Sequence, residues 1–358
     1  MTGRTEILDL ADGTRIRVPV SDGAGLALWS SVGEYPVYNA LVYDVMTADK
    51  VRNRAYRQEL AVVAAGRRVL DIGTGQHLNW ALHAARCGAR SVTAIEEIPD
   101  SHAAAGALLA RLPERERIDL VCGRSTELAL EDRFDVCVSE IIGTIGGSEG
   151  AAAVLADARD RFLVEGGTMI PHRCVTMVAG TGLRQIMPRP AFDPRGLDYL
   201  RQIFDTVGHP FDVRVGLGSP VPDAPLTNAG PVETLDFATS PRPEGTESVE
   251  LTVTRPGHLD GLLLWIQLYV GPDGPPIDSL FQSTSWLPIY LPVFDDPVAV
   301  TRGERLVVEV HRALSDDGIH PDYTVHVTLG DRHRTVTSTH HGPDFRASAF
   351  HAELLTPA

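Results

Sequence analysis

The chain has 358 residues, 43% of them hydrophobic and 22% charged, and a formal net charge of −15 from 47 acidic and 32 basic side chains. The length is typical of two or three domains, and the composition is that of a globular protein with a sizeable core. The acidic balance argues against a nucleic-acid-binding surface, which needs clustered Lys and Arg to contact phosphates. We therefore expect no nucleic-acid partner.

The beginning of the chain carries no apolar signal core, and no stretch of 18 apolar residues follows it. We therefore expect no membrane association and a cytoplasmic location.

Neither the cysteines nor the histidines show the spacing of a metal site. The four cysteines lack any C-x-x-C pair. His333, His340, His341 and His351 crowd the C-terminal part without accompanying cysteines or carboxylates at ligand spacing. We expect surface histidines on strands and no metal.

The first predicted elements are a hairpin and a helical segment. Residues 5–20 alternate apolar and polar side chains around the turn Ala11-Asp-Gly-Thr14, which predicts a β-hairpin. Residues 37–65 carry apolar side chains at helical spacing.

From residue 68 onwards, short apolar runs alternate with Ala-rich segments. The predicted strands are 69–72, 91–95, 118–121 and 135–138, and the predicted helices are 78–86, 102–111 and 151–162. This alternation predicts βαβ units and a parallel, doubly wound sheet of the Rossmann type.

After residue 171 the pattern becomes β-rich, with Gly, Pro and Asp turns between short apolar runs. The predicted strands include 174–178, 249–253, 262–270, 306–310 and 323–329. They predict an antiparallel domain, either a barrel or a sandwich. A helix over 193–207 interrupts this region. Because an isolated helix has little core of its own in such a domain, we expect it to pack on another chain.

A cofactor site is indicated by the sequence Val69-Leu-Asp-Ile-Gly-Thr-Gly-Gln-His-Leu78. It places Gly73 and Gly75 between a predicted strand and a predicted helix, and Glu96 closes the next strand. Glycines there let the backbone approach a ligand, and the acidic residue binds ribose hydroxyls. The third glycine of a dinucleotide motif is missing, which favours a nucleoside ligand without a pyrophosphate.

A pair of glutamates follows the predicted strand 135–138. Glu140 and Glu149 are nine residues apart, with Gly143, Gly146 and Gly147 between them. Such a loop can bring both carboxylates together, and they repel each other unless a cation lies between them. A guanidinium, planar and permanently charged, suits such a pair.

The motifs together carry a family resemblance. Asp71-Ile-Gly-Thr-Gly75 resembles the S-adenosylmethionine loop of class I methyltransferases, and with the glutamate pair the chain resembles the protein arginine methyltransferases over nearly its whole length. Further segments similar to motifs of that family are Tyr43-Asp-Val-Met46-Thr-Ala-Asp49-Lys-Val-Arg52, Gly123-Arg-Ser-Thr126, Gly166-Gly-Thr-Met-Ile-Pro171, Val232-Glu-Thr-Leu-Asp-Phe237 and Thr284-Ser285-Trp286.

The resemblance implies an architecture and a cofactor. We expect a β-hairpin and lead-in over 1–36, a Rossmann-like domain that binds S-adenosylmethionine over 37–171, and a mostly antiparallel β-barrel domain over 172–358. A helical dimerisation arm is expected at about 185–212, which implies a homodimer.

The resemblance also implies site residues. Met46 is expected to pack by the sulfonium and Arg52 to pair with the carboxylate of the cofactor. The remaining cofactor contacts are expected from Asp71, Gly73, Gly75, Glu96, Ser125, Thr126 and Glu140. Glu140 and Glu149 are the expected catalytic residues, and the acceptor is expected to contact Glu140, Glu149, Tyr43, Ser285 and Trp286.

The sequence departs from the family pattern at several positions. His77 stands where a third glycine is frequent, and Thr126 stands where an acidic residue often contacts adenine. Ser285 replaces the histidine that pairs with the family's counterpart of Asp49, and a hydroxyl is a poor base. Gly146, Gly147 and Ser148 (residues 146–148) replace bulkier side chains, which predicts a more mobile loop or a wider acceptor site.

Three functions are compatible with these residues. The first is methyl transfer to a guanidino or amino nitrogen of a peptide or small molecule. The second is methyl transfer to carbon or oxygen of an aromatic small molecule such as an indole. The third is an inactive scaffold protein of the same fold.

Overall fold

The N-terminal segment forms an antiparallel hairpin, as predicted. A computed structural model describes residues 4–23, 25–31, 34–35, 37–239 and 241–358. Strands β1 (Arg4–Asp9) and β2 (Arg15–Val20) pair in register across the turn, and β3 (Leu28–Ser30) follows. Every second side chain of β2 is buried, the pattern expected of a strand with one face on the core. The predicted domain boundary at residue 36 falls outside the described residues.

The helical segment consists of two helices joined at Asp49. Helix α1 spans Ala40–Ala48 and helix α2 spans Lys50–Val63. The Asp49 carboxylate accepts a hydrogen bond from the backbone N–H of Arg52 at 2.9 Å, which caps the first turn of α2. This cap fixes the start of α2 and therefore the position from which the Arg52 side chain extends.

The central layer is a five-stranded parallel sheet with helices between its strands. Its strand order is β6-β5-β4-β7-β8, and all its pairings are parallel. The elements are β4 (Arg68–Ile72), α3 (Asn79–Arg86), β5 (Ser91–Glu96), α4 (Pro99–Leu109), β6 (Ile118–Cys122), β7 (Phe134–Ser139), α5 (Ala151–Phe162) and β8 (Leu163–Ile170). The prediction of a doubly wound sheet is confirmed. Helix α4 begins three residues earlier than predicted, since Pro99 is suited to a first helical turn.

The second half of the chain forms antiparallel sheets. Its strands are β9 (Arg173–Thr181), β10 (Val215–Leu217), β11 (Gly230–Asp236), β12 (Gly245–Thr252), β13 (Gly257–Leu259), β14 (Gly261–Tyr269), β15 (Ile277–Asp278), β16 (Ile289–Pro292), β17 (Val298–Val300), β18 (Arg305–Leu314), β19 (Pro321–Leu329) and β20 (Arg332–Ser338). One sheet has the order β11-β9-β14-β16-β10-β3, with β15 paired to β14, and another has the order β12-β18-β19-β20. Apolar side chains of both sheets meet in one core. The predicted antiparallel barrel domain is confirmed.

The helical island behaves differently from the prediction. It contains α6 (Leu183–Ile186), a 3-10 turn (Pro194–Gly196) and α7 (Leu197–Val207). Gly208, in a left-handed conformation, caps the C-terminal end of α7. Apolar side chains of α7 are buried in one cluster with those of the N-terminal hairpin and of α8 (Ala349–Leu354). The expectation that this helix lacks a core within its own chain is therefore wrong, because the hairpin and α8 cover it.

The chain closes on its beginning. After α8, the short strand β21 (Thr356–Pro357) pairs with β2. No helix in the described ranges is both long and apolar enough to cross a membrane. The predicted boundary at residue 171 stays a prediction; the parallel sheet ends at Ile170 and the next sheet begins at Arg173.

Candidate active site

A cavity of about 940 Å³ lies between the carboxyl ends of the parallel strands and the barrel domain. That size is at the upper end of small-molecule sites, and strand ends of this kind are where open α/β sheets bind ligands. The predicted site residues that line it are Tyr43, Met46, Arg52, Gly73, Gly75, Glu96, Ser125, Glu140 and Glu149. Four further predicted site residues are not among the described residues that line the cavity: Asp71, Thr126, Ser285 and Trp286.

The glycine loop after β4 has the backbone conformation that glycine permits. Gly73 and Gly75 have φ of 71° and 66°, in the left-handed region. The N–H of Gly75 donates to Oε2 of Glu96 at 2.8 Å, and the N–H of Ile98 donates to Oε1 of Glu96 at 3.0 Å. These bonds hold the Glu96 carboxylate at the loop, where it lines the cavity.

Asp71 supports this loop from beneath. Its Oδ2 accepts hydrogen bonds from Oγ1 of Thr74 at 2.7 Å and from the N–H of Ala81 at 2.9 Å. Burial raises the pKa of Asp71 to about 7. The geometry therefore shows Asp71 joining the loop to α3, and its expected cofactor contact stays a prediction.

Arg52 connects the cofactor side of the cavity with the first glutamate. Its side chain is almost completely buried. Nη1 donates to Oε2 of Glu140 in an ion pair, and Nη2 donates to the carbonyl of Met46 at 2.5 Å. The predicted residues Met46, Arg52 and Glu140 are thus brought together, with Arg52 between the other two.

Tyr43 lies against the glycine loop. Its hydroxyl is 2.6 Å from Oγ of Ser101, and its ring meets the ring of His77 edge-on at 5.7 Å between centroids. A Cβ at Gly75 would lie 3.5 Å from the Tyr43 ring. His77 therefore takes part in the wall of the cofactor side, together with a residue that we expected to contact the acceptor.

On the adenine side of the predicted site, Ser125 is buried and lines the cavity, whereas Thr126 does not appear in the lining. The carbonyl of Ser125 accepts a hydrogen bond from Nη2 of Arg161 at 2.7 Å. This contact ties the loop after β6 to α5.

The two glutamates stand at the two ends of one loop (residues 140–149, the glutamate loop). Burial raises the pKa of Glu140 to about 7, with a further contribution from the charge of Asp49 and an opposing one from Arg52. Burial and the negative charges of Glu140 and Glu34 raise the pKa of Glu149 well above its usual range. A cation bound between the carboxylates would relieve these unfavourable charges.

A buried network that the sequence did not reveal holds the middle of the glutamate loop. Oε1 of Glu34 accepts hydrogen bonds from Oγ1 of Thr144 at 2.6 Å and from Oγ of Ser148 at 2.5 Å. Oε2 of Glu34 pairs with Nη1 of Arg214 at 2.9 Å. Glu34 belongs to no motif of the lead-in segment, so the sequence pattern did not predict its role.

The glycines of the glutamate loop are packed against the barrel domain. The N–H of Gly147 donates to Oε2 of Glu233 at 3.1 Å, and the N–H of Gly146 donates to Oγ1 of Thr176 at 3.0 Å. A Cβ at Gly146 would lie 2.7 Å from Sγ of Cys174, and one at Gly147 would lie 2.7 Å from Oε1 of Glu233. The glycines therefore permit close approach to the barrel, and the space expected for a wider acceptor is filled by barrel side chains.

Ser285 and Trp286 lie behind the cavity wall and join the barrel to the Rossmann domain. Oδ2 of Asp49 accepts hydrogen bonds from the N–H of Ser285 at 2.7 Å and from its Oγ at 3.1 Å. Nε1 of Trp286 donates to the carbonyl of Ile142 at 2.6 Å. Ser285 thus contacts Asp49, the residue whose family counterpart pairs with the missing histidine.

The prediction that the C-terminal histidines lie at the surface is only partly correct. His333 is exposed, whereas His340 and His351 are buried. His340 and His341 line the cavity, together with His320. The prediction failed for the buried His340 and His351 because strand periodicity does not show which segments pack against another part of the fold.

Comparison with known proteins places these features in a family. No family model matches the chain. The arginine N(omega)-methyltransferase of Streptomyces achromogenes subsp. streptozoticus is 31% identical over 286 aligned residues, covering 74% of each chain. Protein arginine N-methyltransferase 6 of Danio rerio is 31% identical over 142 residues, covering 38% of this chain and 40% of the relative.

Similarity extends to solved structures. The Trypanosoma brucei PRMT1 enzyme-prozyme heterotetrameric complex with AdoHcy has a TM-score of 0.66 and 19% identity, covering 83% of this chain and 96% of that chain. At this identity the match shows that the two chains share a fold.

Together with the similarity to the Streptomyces enzyme, the fold and the glycine loop identify an S-adenosylmethionine-dependent methyltransferase. The chain belongs to the arginine methyltransferase family, since its similarity to the Streptomyces enzyme extends over most of both chains.

Proposed function

We propose that the protein transfers a methyl group to a guanidino nitrogen of an arginine-type acceptor. The observation that carries this proposal is that Glu140 and Glu149 line the same cavity as Gly73, Gly75 and Glu96. Methyl donor and guanidinium would therefore share one cavity.

The cavity lining fits S-adenosylmethionine. Gly73 and Gly75 allow close backbone approach, Glu96 offers acceptors to ribose hydroxyls, and Nη1 of Arg52, which gives one N–H to Glu140, keeps its second N–H for a carboxylate. Met46, Ser125 and Glu140 also line the cavity and are further proposed cofactor contacts. When bound, the cofactor supplies an electrophilic methyl group on its sulfonium.

The glutamate loop would supply binding and orientation. Two carboxylates bound to the guanidinium concentrate its positive charge on the nitrogens that they contact, so that the third nitrogen keeps more lone-pair density. The Arg52–Glu140 pair aligns the acceptor side with the cofactor side. Catalysis then rests on positioning for an in-line displacement.

The relatives favour this function over its alternatives. Those described above are arginine methyltransferases, which supports nitrogen over an aromatic carbon or oxygen as the acceptor atom. The glycine loop, Glu96 and Arg52 all line the cavity, which argues against an inactive scaffold.

The test is an acceptor panel with isotopically labelled S-adenosylmethionine and mass spectrometry of the products. We expect methylated products from free L-arginine or an arginine-containing peptide, and none from indoles or from lysine peptides. Transfer to an indole alone, or no transfer despite cofactor binding measured by calorimetry, would overturn the proposal.

We also propose that the protein is a homodimer. Support comes from the family resemblance and from the T. brucei relative, which is described as a heterotetrameric complex. Because the apolar side of α7 is occupied within the chain, the exposed side of the arm and other surfaces remain for the interface. Light scattering tests the proposal, since a monomer has a mass of 38.7 kDa and a dimer twice that mass.

A further inference from the structure

Three imidazoles and one carboxylate of the barrel domain line the cavity beside the glutamate loop. We call His320, His340, His341 and Asp317 the imidazole cluster; all four belong to the cavity lining. The cluster is adjacent to the glutamates: a Cβ at Gly150, the residue after Glu149, would lie 2.4 Å from Cγ2 of Ile319.

The cluster has a fixed geometry. Nδ1 of His320 lies 2.5 Å from Oδ2 of Asp317, and the rings of His320 and His340 stack with 4.1 Å between centroids and 4° between planes. The ring of His341 lies 5.0 Å from that of His340. Tyr35, next to Glu34 in the chain, also stacks with His340, with 6.1 Å between ring centroids.

Part of the hydrogen-bonding capacity of the cluster is left for a ligand. Both oxygens of Asp317 are engaged, since Oδ1 accepts from the N–H groups of Ile319 and His320 at 2.8 and 2.9 Å and Oδ2 faces His320. Burial holds the pKa of His340 at about 3, so its imidazole is neutral at physiological pH and still presents one N–H. Nδ1 of His340 has no hydrogen-bond partner among the described residues, an uncompensated cost that a ligand atom would remove.

A metal ion fits the cluster less well. Ligand atoms of Asp317, His320 and His340 lie within 4.8 Å of one another. An imidazole, however, binds a metal along a direction in its own ring plane, and two parallel stacked rings cannot direct both lone pairs to one ion. Asp317 is also already engaged by backbone N–H groups and by His320.

We propose that the imidazole cluster binds the carboxylate of the acceptor, so that the acceptor is a free amino acid with a guanidino group at its other end. This inference rests on the proposed function, because it assumes a guanidinium at Glu140 and Glu149. A single cavity then offers carboxylates to the cationic end of the acceptor and imidazoles to its anionic end. An arginine inside a peptide has no free carboxylate to occupy the second subsite.

The test compares three guanidines that keep the amino group and differ at the carboxylate: L-arginine, agmatine, which lacks the carboxylate, and L-arginine amide, in which it is blocked. At saturating S-adenosylmethionine we expect kcat/KM for L-arginine to exceed that for the other two by about tenfold or more, which is the typical discrimination from a lost hydrogen bond to a charged group.

Variants of the imidazole cluster test whether the preference for L-arginine arises from its residues. His320→Ala and His340→Ala should each raise KM for L-arginine about tenfold, leave kcat nearly unchanged, and leave KM for agmatine within about twofold of its original value. His333→Ala removes an exposed histidine of the same domain and should change neither KM. Melting temperature and cofactor affinity, measured for each variant, report a misfolded protein, and the half-buried His320 keeps the test valid where His340→Ala does not fold.

The outcomes separate this inference from the proposed function. Methylation of all three guanidines with equal kcat/KM would overturn the carboxylate subsite while the proposed function stands. An equal loss for L-arginine and agmatine in the variants would do the same, as would activity lost to EDTA and restored by Zn²⁺. Absence of transfer to any guanidine would instead contradict the proposed function.

Discussion

The cofactor side and the acceptor side of the cavity are built in different ways. The cofactor side is local: the loop with Gly73 and Gly75 follows one strand, and Glu96 ends the neighbouring strand. The acceptor side is assembled from distant segments: the glutamate loop is held by Glu34 from the lead-in and by Glu233 from β11, and Glu34 in turn pairs with Arg214 from the segment after α7.

This difference has a physical consequence for how each side can be changed. The cofactor loop depends on backbone conformation and on a few short-range hydrogen bonds. The position of the glutamates depends on buried ion pairs whose partners lie 180 residues apart along the chain, as for Glu34 and Arg214. We therefore expect substitutions in the glutamate loop and its supports to impair acceptor turnover while they preserve cofactor binding.

The largest effect is expected for Glu149→Gln. Neutralising this carboxylate removes half of the charge that would bind and polarise a guanidinium, and we expect kcat/KM for the acceptor to fall by about 10³-fold or more. Because burial and neighbouring charges disfavour the ionised form of Glu149, the same substitution should raise the melting temperature of the ligand-free protein.

Steady-state kinetics and thermal melts test both expectations, with calorimetry showing whether cofactor affinity stays unchanged. Glu309→Gln, an exposed glutamate on β18, is the matched control and should alter none of these quantities. Turnover within a few-fold of the original for Glu149→Gln would remove the charge-based role of the pair.

The sequence was sufficient to predict the cofactor side because its signals are local. The glycine spacing, the strand pattern and Glu96 lie within 30 residues, and the parallel register of β4 and β5 then brings them together. The glutamate pair was also recognised, because both residues belong to one loop.

The sequence pattern could not predict the long-range contacts. Glu34 and Glu233 appear as isolated acidic residues, and only the fold shows that both are buried against the glutamate loop. The glycines of that loop illustrate the problem: their small size indicated open space, whereas Cys174 and Glu233 occupy the volume that larger side chains would need.

The next largest effect is expected for Gly147→Ala. The added methyl group would lie 2.7 Å from Oε1 of Glu233, and Glu233 cannot easily move because Arg312 at 3.1 Å and Thr176 at 2.6 Å hold it. The loop must shift instead, and we expect a loss of about 10–100-fold in kcat/KM for the acceptor.

Cofactor affinity, measured by calorimetry, should change little in this variant. Gly106→Ala is a suitable control because the added methyl group makes an ordinary contact of 3.8 Å inside α4, where alanine is the better helix former. An equal loss of cofactor affinity in Gly147→Ala would show that the two sides of the cavity are not independent.

The pH dependence should also distinguish the two sides. The pKa of Glu140 is raised to about 7, so this carboxyl is protonated and unable to attract a guanidinium at lower pH. With saturating cofactor, kcat/KM for the acceptor should rise with pH through about 7, by about tenfold or more per pH unit on the acidic limb, because the raised pKa of Glu149 adds a second carboxyl that must ionise. A flat profile between about pH 5.5 and pH 8 would contradict the assignment.

The smallest effect is expected for Ser285→Ala. The hydroxyl donates to Oδ2 of Asp49 at 3.1 Å, but the backbone N–H of the same residue donates to the same oxygen at 2.7 Å and survives the substitution. Asp49 therefore keeps a partner in the barrel domain and continues to cap α2, so that Arg52 stays in place. We expect activity within about fivefold of the original, which corresponds to the net value of one hydrogen bond. Loss of nearly all turnover in a folded, cofactor-binding variant would instead show that the Ser285 hydroxyl takes part in the reaction, and the acceptor side would then extend behind the cavity wall to the contact between the two domains.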